Sequence, residues 1–227
     1  MKIRNSLFHL ILVGFFMTCS CINPASAQDQ YVGKIKPAQA KRFLEEGNIR
    51  FVSGKPLHPR QDTDSRKEVA KGQHPFAVIL GCADSRTSPE ILFDQGLGDL
   101  FVTRVAGNVI DDHTIGSIEY AVEHLHASLI VVFGHERCGA IAAARDSTSD
   151  QSNHIKSLTA SIQPAVKATR GQDIEATCMA NIRNIVVALK SDEMLLKQLV
   201  NKGEISVVGA YYDLETGIVT FLDEKQF

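Results

Sequence analysis

The sequence contains no tryptophan, and neither sign of charge dominates it. Its 24 Lys and Arg residues are nearly balanced by 26 Asp and Glu residues, so the formal net charge is −2. A protein that binds nucleic acid through its phosphates concentrates positive charge on one surface. Because the basic residues are scattered along this chain, a small neutral or anionic substrate is favoured over nucleic acid.

Long apolar runs are also scarce, and the one near the amino terminus is too short to cross a membrane comfortably. It spans residues 7–18, whereas a transmembrane helix needs roughly 20 residues. Lys2 and Arg4 precede this run and the small residues 25–27 follow it, which is the three-part pattern of a secretory signal peptide. We predict that residues 1–27 are removed on export to the periplasm, leaving no stable membrane association.

Two alternatives to a cleaved signal peptide stay open. The apolar run could be an uncleaved anchor, or Cys19 or Cys21 could carry a lipid, although neither follows a convincing lipoprotein sequence. From residue 31 onward the chain lacks internal repeats and low-complexity blocks, and its 44% hydrophobic composition is enough to form a core. We predict one catalytic domain over residues 28–227.

Disulfides are not expected in the mature chain. It retains three of the five cysteines, Cys82, Cys138 and Cys178, and an odd number cannot pair completely. Cys82 and Cys138 lack the CxxC spacing of thiol redox proteins, which disfavours that alternative. Thiols that stay reduced in an oxidising compartment are usually bound to a metal. Cys178 is expected to be a buried residue of a helix.

Apolar runs alternate with helical patterns along the mature chain. Strands are predicted at residues 76–81, 100–105, 128–134, 205–212 and 218–222, and helices at 36–53, 89–93, 114–125, 154–169, 174–189 and 191–201. Polar residues 53–65 predict a surface loop, and the turn at 215–217 predicts that the last strand is antiparallel. The pattern predicts an α/β fold with a central, mostly parallel sheet of about five strands flanked by helices.

Metal-binding side chains follow two of the predicted strands. Cys82 and Asp84 come after the first, and His135 and Cys138 come after the third. If these strands are neighbours, the four side chains converge beyond the carboxyl ends, where open parallel sheets bind ligands. Two thiolates and an imidazole suit zinc, and three protein ligands leave the open position of a catalytic site. Asp84 could close the site as a fourth ligand or leave that position to water.

Four segments resemble the β-class carbonic anhydrases. CADSR at 82–86 and GHERCGA at 134–140 are similar to the paired C-x-D-S-R and G-H-x-x-C-G signatures of that family. FVTRVAGN at 101–108 and SIEYAV at 117–122 resemble the intervening family segments, and the resemblance covers roughly residues 36–222. It implies the β-carbonic anhydrase fold and the reversible hydration of carbon dioxide to bicarbonate and a proton by a zinc-bound hydroxide.

The resemblance assigns roles at the positions that match the signatures. Cys82, His135 and Cys138 are implied to hold one Zn²⁺ per chain. Asp84 and Arg86 are implied to form a catalytic dyad, in which Arg86 keeps Asp84 away from the metal. In a closed state of the site, Asp84 would itself be the fourth ligand.

Further positions match pocket residues of the plant-type members of the family. Gln73 corresponds to a glutamine that hydrogen-bonds substrate, Phe101 and Tyr120 to aromatic positions, His124 to a proton shuttle, and Ala106 and Gly139 to positions lining the pocket. The plainer alternatives are an ordinary core position for Phe101 and Tyr120 and a solvated helix face for His124. By the same resemblance the protein is a homodimer or homotetramer. The helix at 36–53 would reach the partner, and Gln73 or Tyr120 would act across the interface.

Two departures from the family pattern are visible. Val105 stands where an asparagine usually follows the arginine, and Ile79 stands where the bicarbonate-inhibited subtype has a tryptophan. Inhibition by bicarbonate bound in that pocket is therefore not expected. The scaffold also leaves open the hydrolysis of carbonyl sulfide or carbon disulfide. A non-catalytic, zinc-stabilised module is a further alternative, and it would require Asp84 to be a permanent ligand.

Overall fold

A computed structural model describes residues 35–146, 150–191 and 194–223 of the chain. Its centre is a five-stranded sheet with the strand order β2-β1-β3-β4-β5. The strands are β1 (Ala77–Gly81), β2 (Leu100–Arg104), β3 (Leu129–His135), β4 (Ser206–Tyr212) and β5 (Val219–Phe221). All neighbouring pairs are parallel except β4 and β5, which are antiparallel. The predicted α/β class, mostly parallel sheet and antiparallel last strand are confirmed.

The two central strands are buried along their whole length. Every residue of β1 and β3 is buried, as expected for strands with helices on both faces. Their apolar side chains provide much of the core, since fully burying one Val, Leu or Ile is worth about 1.5–3 kcal/mol. This explains why the apolar runs in the sequence located each strand boundary to within one residue.

Eight helices lie among the described residues. They are α1 (Pro37–Val52), α2 (Thr63–Val69), α3 (Pro89–Leu92), α4 (Asp112–Glu123), α5 (Gly139–Arg145), α6 (Asn153–Ala168), α7 (Ile174–Ser191) and α8 (Met194–Asn201). None of the helices in the described part of the chain is long and apolar enough to cross a membrane. The predicted signal peptide, with Cys19 and Cys21, lies outside the described residues.

Two helices were missed by the sequence patterns. The predicted loop at 53–65 runs into α2, whose first turn is capped by the Asp62 carboxylate accepting from the amides of Asp64 and Ser65. Helix α5 begins directly after Cys138 and contains the helix-forming residues 140–144. The sequence patterns did not identify these residues as a helix. Both helices have only seven residues, too few for a clear apolar period.

The register of the central strands places the metal-binding motifs side by side. β1 and β3 are adjacent and parallel, with Gly81 opposite Phe133, so Cys82 and His135 emerge at the same edge of the sheet. Gly134 allows α7 to pack closely here, because a Cβ at this position would lie 2.6 Å from Ile182 Cδ1. Cys178 of α7 is buried, as predicted.

Candidate metal centre

Three potential metal ligands meet at the carboxyl edge of the sheet. The ligand atoms of Cys82, His135 and Cys138 lie within 4.8 Å of one another, and the two sulfur atoms are 4.0 Å apart. All three side chains are buried. The expected convergence of the two strand ends is therefore present, although Asp84 is not part of this group.

His135 is oriented as a metal ligand. Its Nδ1 lies 2.8 Å from the carbonyl oxygen of Glu136. A carbonyl can only accept a hydrogen bond, so Nδ1 carries the proton and Nε2 has a free lone pair. Nε2 is buried and has no hydrogen-bond partner among the described residues. A buried, unsatisfied nitrogen beside two thiols fits a metal ion.

The Cys82 and Cys138 thiols each change the pKa of the other. The hydrogen bond from Cys138, with further hydrogen bonds from the amides of Gly107 and Asp84, lowers the pKa of Cys82 to about 4. The pKa of Cys138 is raised, because Cys82 holds its proton and the site is buried. Without metal the pair therefore retains one proton. Zinc binding must release that proton, so metal affinity rises with pH.

The loop between His135 and Cys138 is tied to the turn joining β4 and β5. The Glu136 amide donates to the carbonyl of Tyr212 over 2.9 Å, and the Leu214 amide donates to Glu136 Oε2 over 3.1 Å. Arg137, in the left-handed region with φ 51°, reaches Glu215 Oε1 at 3.2 Å. These contacts hold the ligand loop in a conformation that its sequence does not favour on its own.

Asp84 lies beside the three ligands and is held by Arg86. The guanidinium donates to both carboxylate oxygens, with Nε to Oδ1 at 2.8 Å and Nη2 to Oδ2 at 2.7 Å. The Arg86 amide adds a third bond to Oδ1 at 3.0 Å. Arg86 thereby holds the pKa of Asp84 well below its usual range. Asp84 Oδ2 is 3.9 Å from His135 Nε2, so it would lie near an ion held by the three candidate ligands, while both of its oxygens are bonded to Arg86.

Arg104 braces the loop that carries Cys82 and Asp84, a role that the sequence did not reveal. Its Nε donates to the Cys82 carbonyl over 2.7 Å, and its Nη2 donates to the Asp84 carbonyl over 2.5 Å. Arg104 is the last residue of β2 and lies opposite Gly81 of β1. Its position near the end of the second predicted strand was the one signal of this role in the sequence. Its contacts with the Cys82 loop became evident only from the pairing of β1 with β2.

The predicted pocket residues separate into two groups. Ala106 begins the short 3-10 turn after β2, and Gly139 is the first residue of α5, next to Cys138. Both therefore lie at the same edge of the sheet as the metal ligands. Apart from its chain neighbours and its own helix backbone, no atom of the described residues lies within 4 Å of where a Cβ on Gly139 would be.

The other four residues lie away from the ligands of the same chain. Gln73 is exposed in the segment before β1, at the opposite end of that strand from Cys82. Phe101 is the second residue of β2, and its ring centroid is 6.3 Å from that of Tyr120. Tyr120 is 49% exposed and lies 5.1 Å, ring to ring, from His124. Their roles at the metal centre stay predictions, and within one chain these residues are not brought to it.

Comparisons with known proteins agree with this geometry. A family model described as carbonic anhydrase matches residues 77–219. Carbonic anhydrase 2 of Mycobacterium tuberculosis is 41% identical over 193 residues, which are 82% of this chain and 93% of that protein. The carbonic anhydrase of Mycolicibacterium smegmatis is also 41% identical, over 81% of this chain and 92% of its own.

A solved structure supports the same relationship. The β-carbonic anhydrase CcaA superimposes with a TM-score of 0.67 and 26% identity, covering 82% of this chain and 96% of its own. The residues matched by the family model include the three metal ligands and the Asp84–Arg86 pair, whereas Gln73 precedes them.

Proposed function

Because this chain belongs to the β-carbonic anhydrase family, we propose that its metal centre hydrates carbon dioxide reversibly to bicarbonate and a proton. The observation that carries the proposal is the joint arrangement at the carboxyl edge of the sheet. Cys82, His135 and Cys138 can hold one ion, while Arg86 occupies both oxygens of the adjacent carboxylate. Three ligands and a restrained fourth candidate leave one coordination position for solvent.

The residues present fit zinc, the metal of this family. Two thiolates neutralise the charge of a divalent ion, and His135 adds a nitrogen whose free lone pair faces the sulfur atoms. When bound, zinc supplies the Lewis acidity that makes water a sufficient nucleophile near neutral pH. A closed, purely structural site would need Asp84 as a permanent ligand, and its bidentate pairing with Arg86 opposes that alternative.

Asp84 positions the attacking water. Its pKa lies well below its usual range because of Arg86, so it is ionised at neutral pH and acts as a hydrogen-bond acceptor. A carboxylate beside the open position turns a water lone pair toward the substrate carbon. Arg86 keeps the carboxylate in that place, and its own side chain is half exposed, at the boundary between the centre and solvent.

The test is stopped-flow hydration of carbon dioxide by the purified mature protein, with zinc quantified in the same sample. We expect about one zinc per chain and activity that rises with pH. Protein stripped of metal by a chelator should be inactive and should recover when zinc is returned. A zinc-replete preparation that is inert toward carbon dioxide from neutral to alkaline pH would refute the proposed function.

We also propose that the protein is exported, on the support of the charged, apolar and small-residue pattern in residues 1–27. Expression in a Gram-negative host followed by fractionation tests this. The periplasmic form should begin at Gln28 by mass spectrometry. A protein that remains in the cytosol with its amino terminus intact would contradict export.

A homodimer or homotetramer is proposed as the working form. Its support is the placement of Gln73 and Tyr120, which are exposed and which the family resemblance assigns to the substrate pocket. In this proposal, a partner chain supplies both residues to the metal centre. Light scattering of the purified protein measures the assembly, and a monomer with full activity would contradict it.

A further inference from the structure

The short turn after β2 links a buried asparagine of α7 to one of the metal ligands. Gly107, in this turn, donates its amide hydrogen to Cys82 Sγ over 3.2 Å. Its carbonyl accepts a hydrogen bond from Asn181 Nδ2 over 3.0 Å. Asn181 is 3% exposed, and 74 residues separate it from Gly107 along the chain.

We propose that Asn181 is a positioning residue for the metal ligand Cys82, acting through Gly107. The proposal rests on the metal centre of the proposed function and names a residue outside the ligand set and the Asp84–Arg86 pair. Asn181 does not touch the sulfur atom. It binds the carbonyl that follows the Gly107 Cα, and the amide that precedes the same Cα donates its hydrogen to that sulfur, so Asn181 acts by restraining the residue between these two peptide groups.

The conformation of the turn that contains Gly107 is constrained by its backbone and by the side chains around it. Gly107 has φ 73°, in the left-handed region that glycine adopts without a Cβ penalty. A Cβ at this position would lie 2.9 Å from Ile162 Cδ1 and 3.0 Å from the Ala140 Cβ, so the turn is enclosed by α6 and α5. The bond from Asn181, together with the bond from the Asn108 amide to the Val105 carbonyl, holds the peptide group that follows Gly107 and so limits how Gly107 and its own amide can rotate within that enclosure.

The direction of the Gly107 amide affects the sulfur as a ligand. An N–H···S hydrogen bond withdraws negative charge from a thiolate and directs its remaining lone pairs. Cys82 Sγ has a second, longer amide contact, from Asp84 at 3.4 Å. Without Asn181, Gly107 loses one restraint on its backbone, and the shorter of the two amide contacts can turn further from the sulfur.

The test compares two variants of α7 that each remove a buried hydrogen bond. Asn181→Leu keeps approximate size but cannot donate to the Gly107 carbonyl. Thr177→Val is the matched control, because Thr177 is buried on the same helix and bonds to Thr169 at 2.7 Å, away from the turn. Zinc affinity is measured by competition with a chromophoric chelator. The thiolate-to-metal charge-transfer band is recorded on the Co²⁺ protein.

We expect Asn181→Leu to bind zinc about 10–100-fold more weakly, as for other residues that orient metal ligands. Its cobalt charge-transfer band should move to longer wavelength, because an unbonded thiolate gives up charge more readily. Thr177→Val should lower the melting temperature while leaving zinc affinity and the band unchanged. Wild-type affinity and spectrum in Asn181→Leu, or equal shifts in both variants, would overturn the proposal.

A measurement on the wild-type protein guards against a variant that fails to fold. In protein loaded with ¹¹³Cd²⁺, a scalar coupling between the metal and the Gly107 amide proton reports the N–H···S bond. Absence of that coupling would refute the link to Cys82. Metal that binds with these signatures in a protein inactive toward carbon dioxide would instead count against the proposed function alone.

Discussion

The two edges of the central sheet differ in what one chain supplies. At the carboxyl edge, the ligand atoms of Cys82, His135 and Cys138 lie within 4.8 Å of one another. Arg86 donates to Asp84, and Arg104 donates to the Cys82 carbonyl. Toward the amino edge, the aromatic side chain of Tyr120 is half exposed, and Gln73 is exposed as well. The carboxyl edge carries the three candidate metal ligands, and the predicted pocket residues Gln73 and Tyr120 lie toward the other edge of the described chain.

In the proposed assembly, one chain supplies the metal ligands and its partner supplies Gln73 and Tyr120 to the substrate pocket. The ligands must be rigid relative to one another, which a shared sheet edge and short loops provide. Pocket residues need only be close to the open coordination position, and a second copy can bring them there. Variants at the two edges should therefore behave differently, and the first three of the following measurements test this.

The largest effect is expected for Cys82→Ser at the carboxyl edge. Replacing a thiolate by a hydroxyl removes one of three ligands, so both bound zinc and activity should fall to background. Cys178→Ala is the matched control, since Cys178 is a buried cysteine outside the ligand group and should retain about one zinc. Metal analysis and stopped-flow assays on both variants measure the result. A Cys82→Ser protein that binds zinc and is active would contradict the assignment of Cys82 as a metal ligand.

The next largest effect is expected for Asp84→Asn. The amide is neutral and cannot pair with Arg86 as the carboxylate does, while the three ligands remain. Activity should fall about 100-fold or more, in the range for a lost acid-base or orienting group, with zinc retained. Asp64→Asn, which changes an exposed carboxylate on α2, should leave both unchanged. Loss of zinc in Asp84→Asn would mean that Asp84 supports the metal directly.

A smaller effect is expected at the amino edge. Gln73→Ala and Tyr120→Phe should reduce activity by roughly tenfold, below the loss expected for a central stabilising donor, and neither should alter zinc content. Gln172→Ala, an exposed glutamine elsewhere, serves as the control. The specific activity of the wild-type protein should also fall at concentrations where light scattering shows single chains, because no partner then supplies Gln73 and Tyr120. Full activity in the two variants and in the diluted protein would assign the whole reaction to one chain.

The smallest effect concerns the stability of the segment that precedes Gln73. Asp62 caps α2, and its hydrogen bonds with Ser65 lower its pKa to about 2, below the ordinary value of 3.8. A carboxyl whose pKa is lower in the folded state stabilises the fold above its unfolded pKa and loses this effect as pH falls. Urea midpoints of wild type and Asp62→Asn should differ slightly at pH 6 and converge toward pH 2. A difference that persists at pH 2 would contradict this origin.

Much of the metal centre was predictable because its ligands follow strands directly. Cys82 comes one residue after β1, and His135 is the last residue of β3, so two apolar runs and two short motifs were enough to bring them together. Helices α2 and α5 escaped prediction because seven residues give little periodicity. The pocket roles of Gln73, Phe101, Tyr120 and His124 remain predictions, since none of them contacts the ligands of its own chain.

The order of apolar runs determined the fold class, and the spacing of Cys82, Asp84, Arg86, His135 and Cys138 predicted which side chains could hold the metal. Only the tertiary structure decided what holds those ligands. Arg104 reaches the Cys82 and Asp84 carbonyls across a strand pair, and Asn181 reaches Gly107 from a distant helix. Such bonds join groups far apart in the chain, and their geometry depends on how strands and helices pack, which no local pattern encodes.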